Sequence, residues 1–169
     1  MESKVVAIER FIDAVGQWTL WLVLGMIALV ATNVALRYTL SLGSVWAQEL
    51  EWHLLAALIL LGISFALQRG DNVRVDVFYA NYTPRRKYLV DLLSLGLLLA
   101  ISLIFIKISI PYVMQSFAIA EQSPDPGGIP MRWLIKSLIP IGYVLVVLQC
   151  LAAIGRRILI ERQGRAPSA

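Results

Sequence analysis

The sequence predicts an all-α integral membrane protein: four transmembrane helices, an N-terminal amphipathic interfacial helix, and both termini in the cytoplasm. Of its 169 residues, 59% are hydrophobic and 15% are charged. A soluble domain has about 45–50% apolar and about 25% charged residues, because charge must cover its surface. Two further observations support this fold class. They are the spacing of the charges along the chain and the distribution of Lys and Arg between the two sides of the predicted membrane.

Four apolar runs are delimited by charged residues. A helix rises about 1.5 Å per residue, so about 20 residues cross the hydrocarbon layer of about 30 Å. Residues 14–36 carry no charge, and Arg37 ends that run. The other runs lie between charges twenty positions apart, which are Glu49 and Arg69, Lys87 and Lys107, and Lys136 and Arg156. The predicted spans are 16–36, 47–68, 84–110 and 133–156.

Segments outside the spans carry local signals. Residues 4–15 alternate with helical period between an apolar and a charged face, which predicts an interfacial helix rather than a frayed tail. Thr83-Pro84 predicts the start of the third helix, and Pro111 its end or a kink. A periplasmic loop over 111–132 follows, with a tip of turn residues at 123–130. The inner loop 70–82 alternates like a strand but has no strand to pair with, and a tail covers 157–169.

Basic residues orient the chain. Four of the 15 Lys and Arg residues lie on one side of the predicted membrane, and the remaining eleven lie on the side of both termini. Cytoplasmic segments carry the excess of Lys and Arg, so both termini are predicted to be cytoplasmic. The net charge of +4 is concentrated at span ends rather than in a stripe, which argues against a nucleic-acid partner and for contact with membrane lipid.

Catalytic and cofactor chemistry have no signature in the sequence. Haem binding between helices commonly needs two histidines, and the chain has one, His53; its lone Cys150 rules out an intrachain disulfide. Asp91 is the one acid well inside a predicted span, and Lys87 one turn away predicts an ion pair near the cytoplasmic interface. We therefore expect no enzyme activity, no cofactor and no metal, and we expect the chain to lack the parts of a complete transporter.

Two polar pairs within the spans need an explanation. Glu49 and His53, four residues apart near Trp46, share one face of the second helix. They predict either a contact with a partner subunit or a pair that faces lipid headgroups. Asn33 and Arg37 have the same spacing on the first helix, where a pair that faces headgroups is favoured. An asparagine in a span can also hydrogen-bond across helices, which suits packing within the chain as well as assembly with another.

Several of these segments together resemble one family, from the first span to about Arg157. They are 46–52 (WAQELEW), 68–79 (QRGDNVRVDVFY), 84–86 (PRR), 123–130 (SPDPGGIP) and 139–142 (IPIG). The chain resembles the small membrane (DctQ-type) subunit of tripartite ATP-independent periplasmic (TRAP) transporters, most closely the branch for mannitol/chloroaromatic or α-keto acid substrates. Many relatives have histidine where this chain has Asn72, which argues against a titrating role at that position.

The resemblance implies a scaffold in the bacterial inner membrane. A large membrane subunit would hold the substrate and sodium sites and move as an elevator, and a periplasmic binding protein would deliver a small organic acid or related solute. The residues implied in contacts with these partners are Trp46, Glu49 and His53 at the outer end of the second span, Arg69, Arg74 and Asp76 at the inner loop, and Asp125 at the periplasmic tip. For the charged loop residues, simple solvation and orientation remain the alternative.

A self-contained homo-oligomeric carrier or channel is the alternative function. Such a protein needs a polar stripe along at least one span, so that a pore or site can form between protomers. Ser64, Ser94 and Ser102 do not form one, and this favours the scaffold.

Overall fold

The computed structural model describes residues 2–70 and 79–162. This part of the chain forms four long helices: α1 (Glu2–Leu40), α2 (Val45–Arg69), α3 (Pro84–Ala118) and α4 (Arg132–Arg162). Each is long and apolar enough to cross a membrane. The predicted fold class, an all-α protein with four spans, is confirmed.

Helix α4 is the centre of the bundle. It packs against α1, α2 and α3, whereas α3 packs chiefly against α4 and α1 chiefly against α2. Its buried side chains include Leu145, Val146, Cys150 and Ala152. The far sides of α1 and α3 are consequently uncovered, and most of their large apolar side chains are exposed.

The helices run antiparallel along the chain, which gives the bundle two ends. We call the end with the 41–44 connection and the 119–131 segment the loop end. The other end, with the start of α1 and the last turns of α4, is the terminal end. The stretch 71–78, which contains most of the predicted inner loop, lies outside the described residues.

Helix α1 is continuous from Glu2 to Leu40. Residues 4–15, predicted as a short interfacial helix leading into the first span, are helical and continue into that span without a break. The reason is that one face remains covered across the junction: Val5, Ile12, Gly16 and Thr19 are all buried. No proline interrupts this stretch, so nothing ends the helix before the span.

Helix α3 continues to Ala118, eight residues beyond its predicted end. Pro111 lies inside it and does not stop it. Ser102, Ser109 and Ser116 repeat every seven residues and are all buried, so the same face of α3 is covered on both sides of Pro111. This packing offsets the single backbone hydrogen bond that proline removes. The loop between α3 and α4 therefore spans only 119–131.

The α2–α4 crossing brings the two backbones into contact. A Cβ atom on Gly142 of α4 would lie 2.5 Å from the carbonyl oxygen of Leu60 on α2, closer than real Cβ atoms come. Glycine allows this approach because it has no side chain, as in other tight helix crossings in membranes.

Local signals explain the helix ends around the connections. Ser44 caps α2, and its side chain accepts a hydrogen bond from the Ala47 N–H at 3.3 Å. At the other end of α2, Gly70 is left-handed (φ +73°), and its N–H closes the last turn. Helix α3 begins with Pro84 at its first position after Thr83, as the sequence predicts.

Candidate functional site

The Glu49 carboxylate at the loop end holds the 119–131 loop. Glu49 lies in the second turn of α2, and its carboxylate accepts hydrogen bonds from the Ser123 hydroxyl and from the Ile129 N–H, the latter at 2.5 Å. The Arg132 guanidinium at the start of α4 lies 3.6 Å from the same carboxylate. One side chain thus joins α2, the loop and α4. Hydrogen bonds to a charged acceptor are stronger than neutral ones.

The tip of the loop is a tight turn over 125–128. The Gly128 N–H donates to the Asp125 carbonyl at 3.0 Å, with Pro126 and Gly127 in the centre of the turn. Gly127 has φ +82°, as the third residue of a type II turn requires. A Cβ on Gly128 would lie 2.7 Å from a carboxylate oxygen of Glu49 and would also clash with Ser123, so only glycine fits here. Residues of this tip line a shallow cavity of about 240 Å³.

A second ion pair stabilises the base of the loop. Lys136 on α4 forms an ion pair with Glu121, and its Nζ lies 4.2 Å from the centroid of the Tyr112 ring on α3. The Arg132 N–H donates to the Glu121 carbonyl at 3.1 Å. The hydrogen bond from Lys136 holds the pKa of the Glu121 carboxyl below its usual value near 4.5.

The residues predicted to act with Glu49 have different surroundings within the chain. His53 bonds through Nδ1 to the backbone carbonyl of Glu49 at 2.6 Å rather than to its carboxylate. Trp46 is half exposed beside them. Asp125 is exposed at the tip of the loop that Glu49 holds. The structure therefore links Glu49 to the loop that carries Asp125. The contacts of these residues with partner subunits stay predictions.

Sequence reasoning missed the partners of Glu49. Ser123, Ile129 and Arg132 come more than seventy residues later in the chain. Only the Gly127-Gly128 pair signalled a close approach, because adjacent glycines after two prolines indicate a turn that contacts other atoms.

Asn33 bonds within the bundle. Its side-chain amide on α1 donates to the Glu51 carboxylate on α2 at 3.1 Å. Of the uses expected of Asn33, the structure shows packing within the chain, and the favoured pair with Arg37 facing headgroups does not describe this amide.

A second cluster of ion pairs joins the helices at the terminal end. Asp13 pairs with Arg69, linking α1 to α2, and Glu9 pairs with Arg156, linking α1 to α4. Arg69, a predicted contact for another subunit, is thus engaged within the chain, although half of its side chain is exposed.

Asp91, the predicted in-span acid, is bound near the same end. Its carboxylate lies 2.6 Å from the Arg157 guanidinium and accepts a hydrogen bond from the Tyr79 hydroxyl at 2.7 Å. Arg74, Asp76 and Asn72 lie outside the described residues, so their predicted roles stay predictions. Over the described ranges, no three His, Cys, Asp or Glu side chains gather as metal ligands would.

The sequence profile of one family covers most of this bundle. The family described as "Tripartite ATP-independent periplasmic transporters, DctQ component" matches residues 26–159, from the middle of α1 almost to the end of α4. The chain belongs to the DctQ family. No curated protein matches it.

As a DctQ component, the chain is the small membrane component of a TRAP transporter, a multi-pass protein of the inner membrane. The prediction of a transporter subunit is confirmed at this level. The family also implies the two partner classes expected from the sequence, a large membrane subunit and a periplasmic binding protein.

Proposed function

We propose that this DctQ component is a non-catalytic scaffold, which supports the large elevator-type subunit and helps a periplasmic binding protein dock. The observation that carries the proposal is the use of polar groups inside the spans. Glu49, Asn33 and Asp91 all bind groups of the same chain. Groups that bind ions or substrate must be able to exchange partners, whereas these join one helix to another.

The orientation assigns the two ends. We place the loop end in the periplasm and the terminal end in the cytoplasm, because eleven of the 15 Lys and Arg residues are then cytoplasmic. Asp125 and the Pro/Gly tip then face the binding protein. On the other side, Arg69, Arg74 and Asp76 face the inner portions of the large subunit.

The transported solute is a small organic acid or a related compound, coupled to an ion gradient. The mannitol/chloroaromatic or α-keto acid branch remains a prediction from motif resemblance. The solute binds elsewhere in the complex on this proposal, so the residues of this chain do not select it.

Co-purification tests the proposal. The tagged chain is extracted from its host in mild detergent, and co-eluting proteins are identified by mass spectrometry, with the untagged strain as control. We expect a much larger polytopic membrane protein in a one-to-one complex. A chain that elutes alone as a homo-oligomer and moves solute after reconstitution would instead establish the self-contained carrier.

A further inference from the structure

The uncovered face of α3 differs from an ordinary lipid-facing surface. The buried serines of α3 face α4. Leu93, Leu97 and Ile104 lie on the opposite side and are 64%, 56% and 55% exposed. By the 100° turn per residue of a helix, Lys107 falls on this opposite side, and it is exposed as well. A full positive charge thus lies in an otherwise apolar face.

Lys107 ends the charge-free run of α3, yet it lies further from the loop end than the ion pairs there. Tyr112 lies five residues beyond Lys107 on α3, and its ring contacts the Nζ of Lys136, which pairs with Glu121. At about 1.5 Å per residue, the backbone of Lys107 lies about 7.5 Å further from the loop end than that of Tyr112. Within the described ranges its side chain has no hydrogen-bond or ion-pair partner. Side chains on a helix lean toward its N-terminus, which for α3 is the terminal end, so Lys107 leans away from the nearer headgroups. A lipid-exposed charge at this depth is costly.

Pro111 adds a second polar group at the same place. Proline has no N–H, so Pro111 cannot donate to the carbonyl of Lys107, four residues earlier. Pro111 is exposed and lies on the same side of α3 as Lys107. Lipid cannot satisfy a free backbone carbonyl, whereas a neighbouring helix can.

The same face has room for another helix. Gly96 and Ala100 are four residues apart and exposed, and a Cβ on Gly96 would meet no atom within 4 Å. Two small residues at this spacing let a second transmembrane helix approach closely. Lys107 lies two turns beyond Ala100 on the same side.

We infer that this face of α3, defined by Gly96, Ala100, Ile104 and Lys107, is the docking surface for the large subunit. The inference rests on the proposed function. Its occupant is a transmembrane helix whose carboxylate pairs with Lys107. A carboxylate on that helix can pair with the ammonium group where it lies. A phosphate headgroup is less well placed, because the side chain leans away from the nearer headgroups.

Paired glycine variants test the shape of the surface. G96L fills the groove, whereas G25L adds the same side chain at an exposed, open glycine of α1. We expect G96L to lower recovery of the large subunit about tenfold in co-purification and G25L to leave it unchanged. Equal recovery with both variants would overturn the docking surface.

Charge variants and a photo-crosslinker test the contact itself. K107E should lower recovery of the large subunit, whereas K107R, which keeps the positive charge, should leave recovery at the wild-type level. A photoreactive amino acid at Ile104 should crosslink to the large subunit, while one at Leu24, equally exposed on α1, should not. Adducts with phospholipid alone at position 104 would show a lipid-facing surface and contradict the inference.

These outcomes separate the inference from the proposed function. If the large subunit co-purifies with the unmodified chain but the α3 variants change nothing, the scaffold stands and the surface is wrong. If the unmodified chain recovers no large subunit, the proposed function itself fails.

Discussion

Glu49 shows how one carboxylate can organise a connection between spans. It accepts hydrogen bonds from a hydroxyl and a backbone N–H of the 119–131 loop, and it lies beside a guanidinium of α4. A loop of turn residues has no helical ladder of its own, so its backbone groups need such partners. The geometry also requires Gly128 beside the carboxylate.

Replacing Gly128 should therefore disrupt the loop. In G128A the new methyl group would clash with Ser123 and with the Glu49 carboxylate. We expect a loss of about 1–3 kcal/mol in the free energy of unfolding, measured in detergent. G43A is the matched control, because a Cβ on Gly43 meets nothing within 4 Å. Equal stability of the two variants would show that the loop adapts at no cost.

The Glu121–Lys136 pair should make stability depend on acid. The pKa of Glu121 is lowered in the folded protein, so the unfolded chain takes up the proton first as the pH falls below about 4.5. The contribution of the pair is complete above that pH and is lost as the pH falls through the lower, folded pKa.

Melting curves of E121Q test this dependence. The difference in Tm between wild type and E121Q should be constant near neutral pH and shrink under acid conditions. K136M should show the same difference in Tm from wild type, because it removes the donor of the hydrogen bond to Glu121. A difference that does not change with pH would count against the pair as its source.

The sequence singled out Glu49 but not what it binds. Residue spacing reveals neighbours within one helix, so it groups Glu49 with His53. Its partners lie more than seventy positions away, and their approach depends on how α3 and α4 bring the loop back over α2. The periodicity of the sequence within a helix does not predict where such a loop will lie.

At the scale of helices, the bundle is held together by close packing rather than by the hydrophobic effect. Lipid is as apolar as the helix surfaces, so association in a membrane depends on close contacts, hydrogen bonds and ion pairs. The α2–α4 crossing at Gly142 and the ion pairs at the terminal end supply these contacts.

Adding one methyl group at the α2–α4 crossing should weaken the bundle. In G142A the Cβ would press on the backbone of Leu60, which cannot rotate away as a side chain can. We expect G142A to lower the free energy of unfolding by about 1–3 kcal/mol. Gly62 on α2 has open space around it, so G62A should be neutral or slightly stabilising. Steric trapping or denaturation in detergent measures both variants. A G142A protein as stable as G62A would rule out a tight crossing.

The positions of the spans could be predicted, but the end of α3 could not. The spacing of charges follows the thickness of the membrane, and it located all four helices. Pro111 suggested an end or a kink in α3, yet the buried face at Ser109 and Ser116 continues past it. Packing against α4 decides where α3 ends, and the local sequence does not specify that packing.

As a whole, the molecule is an open array around α4 with two uncovered flanks. Membrane class follows from composition, because no soluble domain could expose so much apolar surface. The large subunit, which we propose covers part of this surface, could be expected only from the resemblance to a family of transporter subunits.

The orientation of the array can be tested with single cysteines. The native Cys150 is fully buried, which leaves little background labelling. In intact spheroplasts, a membrane-impermeant thiol reagent should label D125C strongly and S3C only after permeabilisation, because both side chains are exposed at opposite ends. Lysed cells, in which both should react, are the control. Labelling of S3C in intact spheroplasts would reverse the orientation.

The tether between the loop and Glu49 has a further consequence for recognition kinetics. Ordering a flexible segment on association costs about 0.5–1.5 kcal/mol for each immobilised side chain. A tip already held in its turn loses little of this entropy when a protein arrives. If the tip is the docking point proposed above, it can be recognised through few contacts and released rapidly, which suits a binding protein that must dock, unload and leave in every cycle.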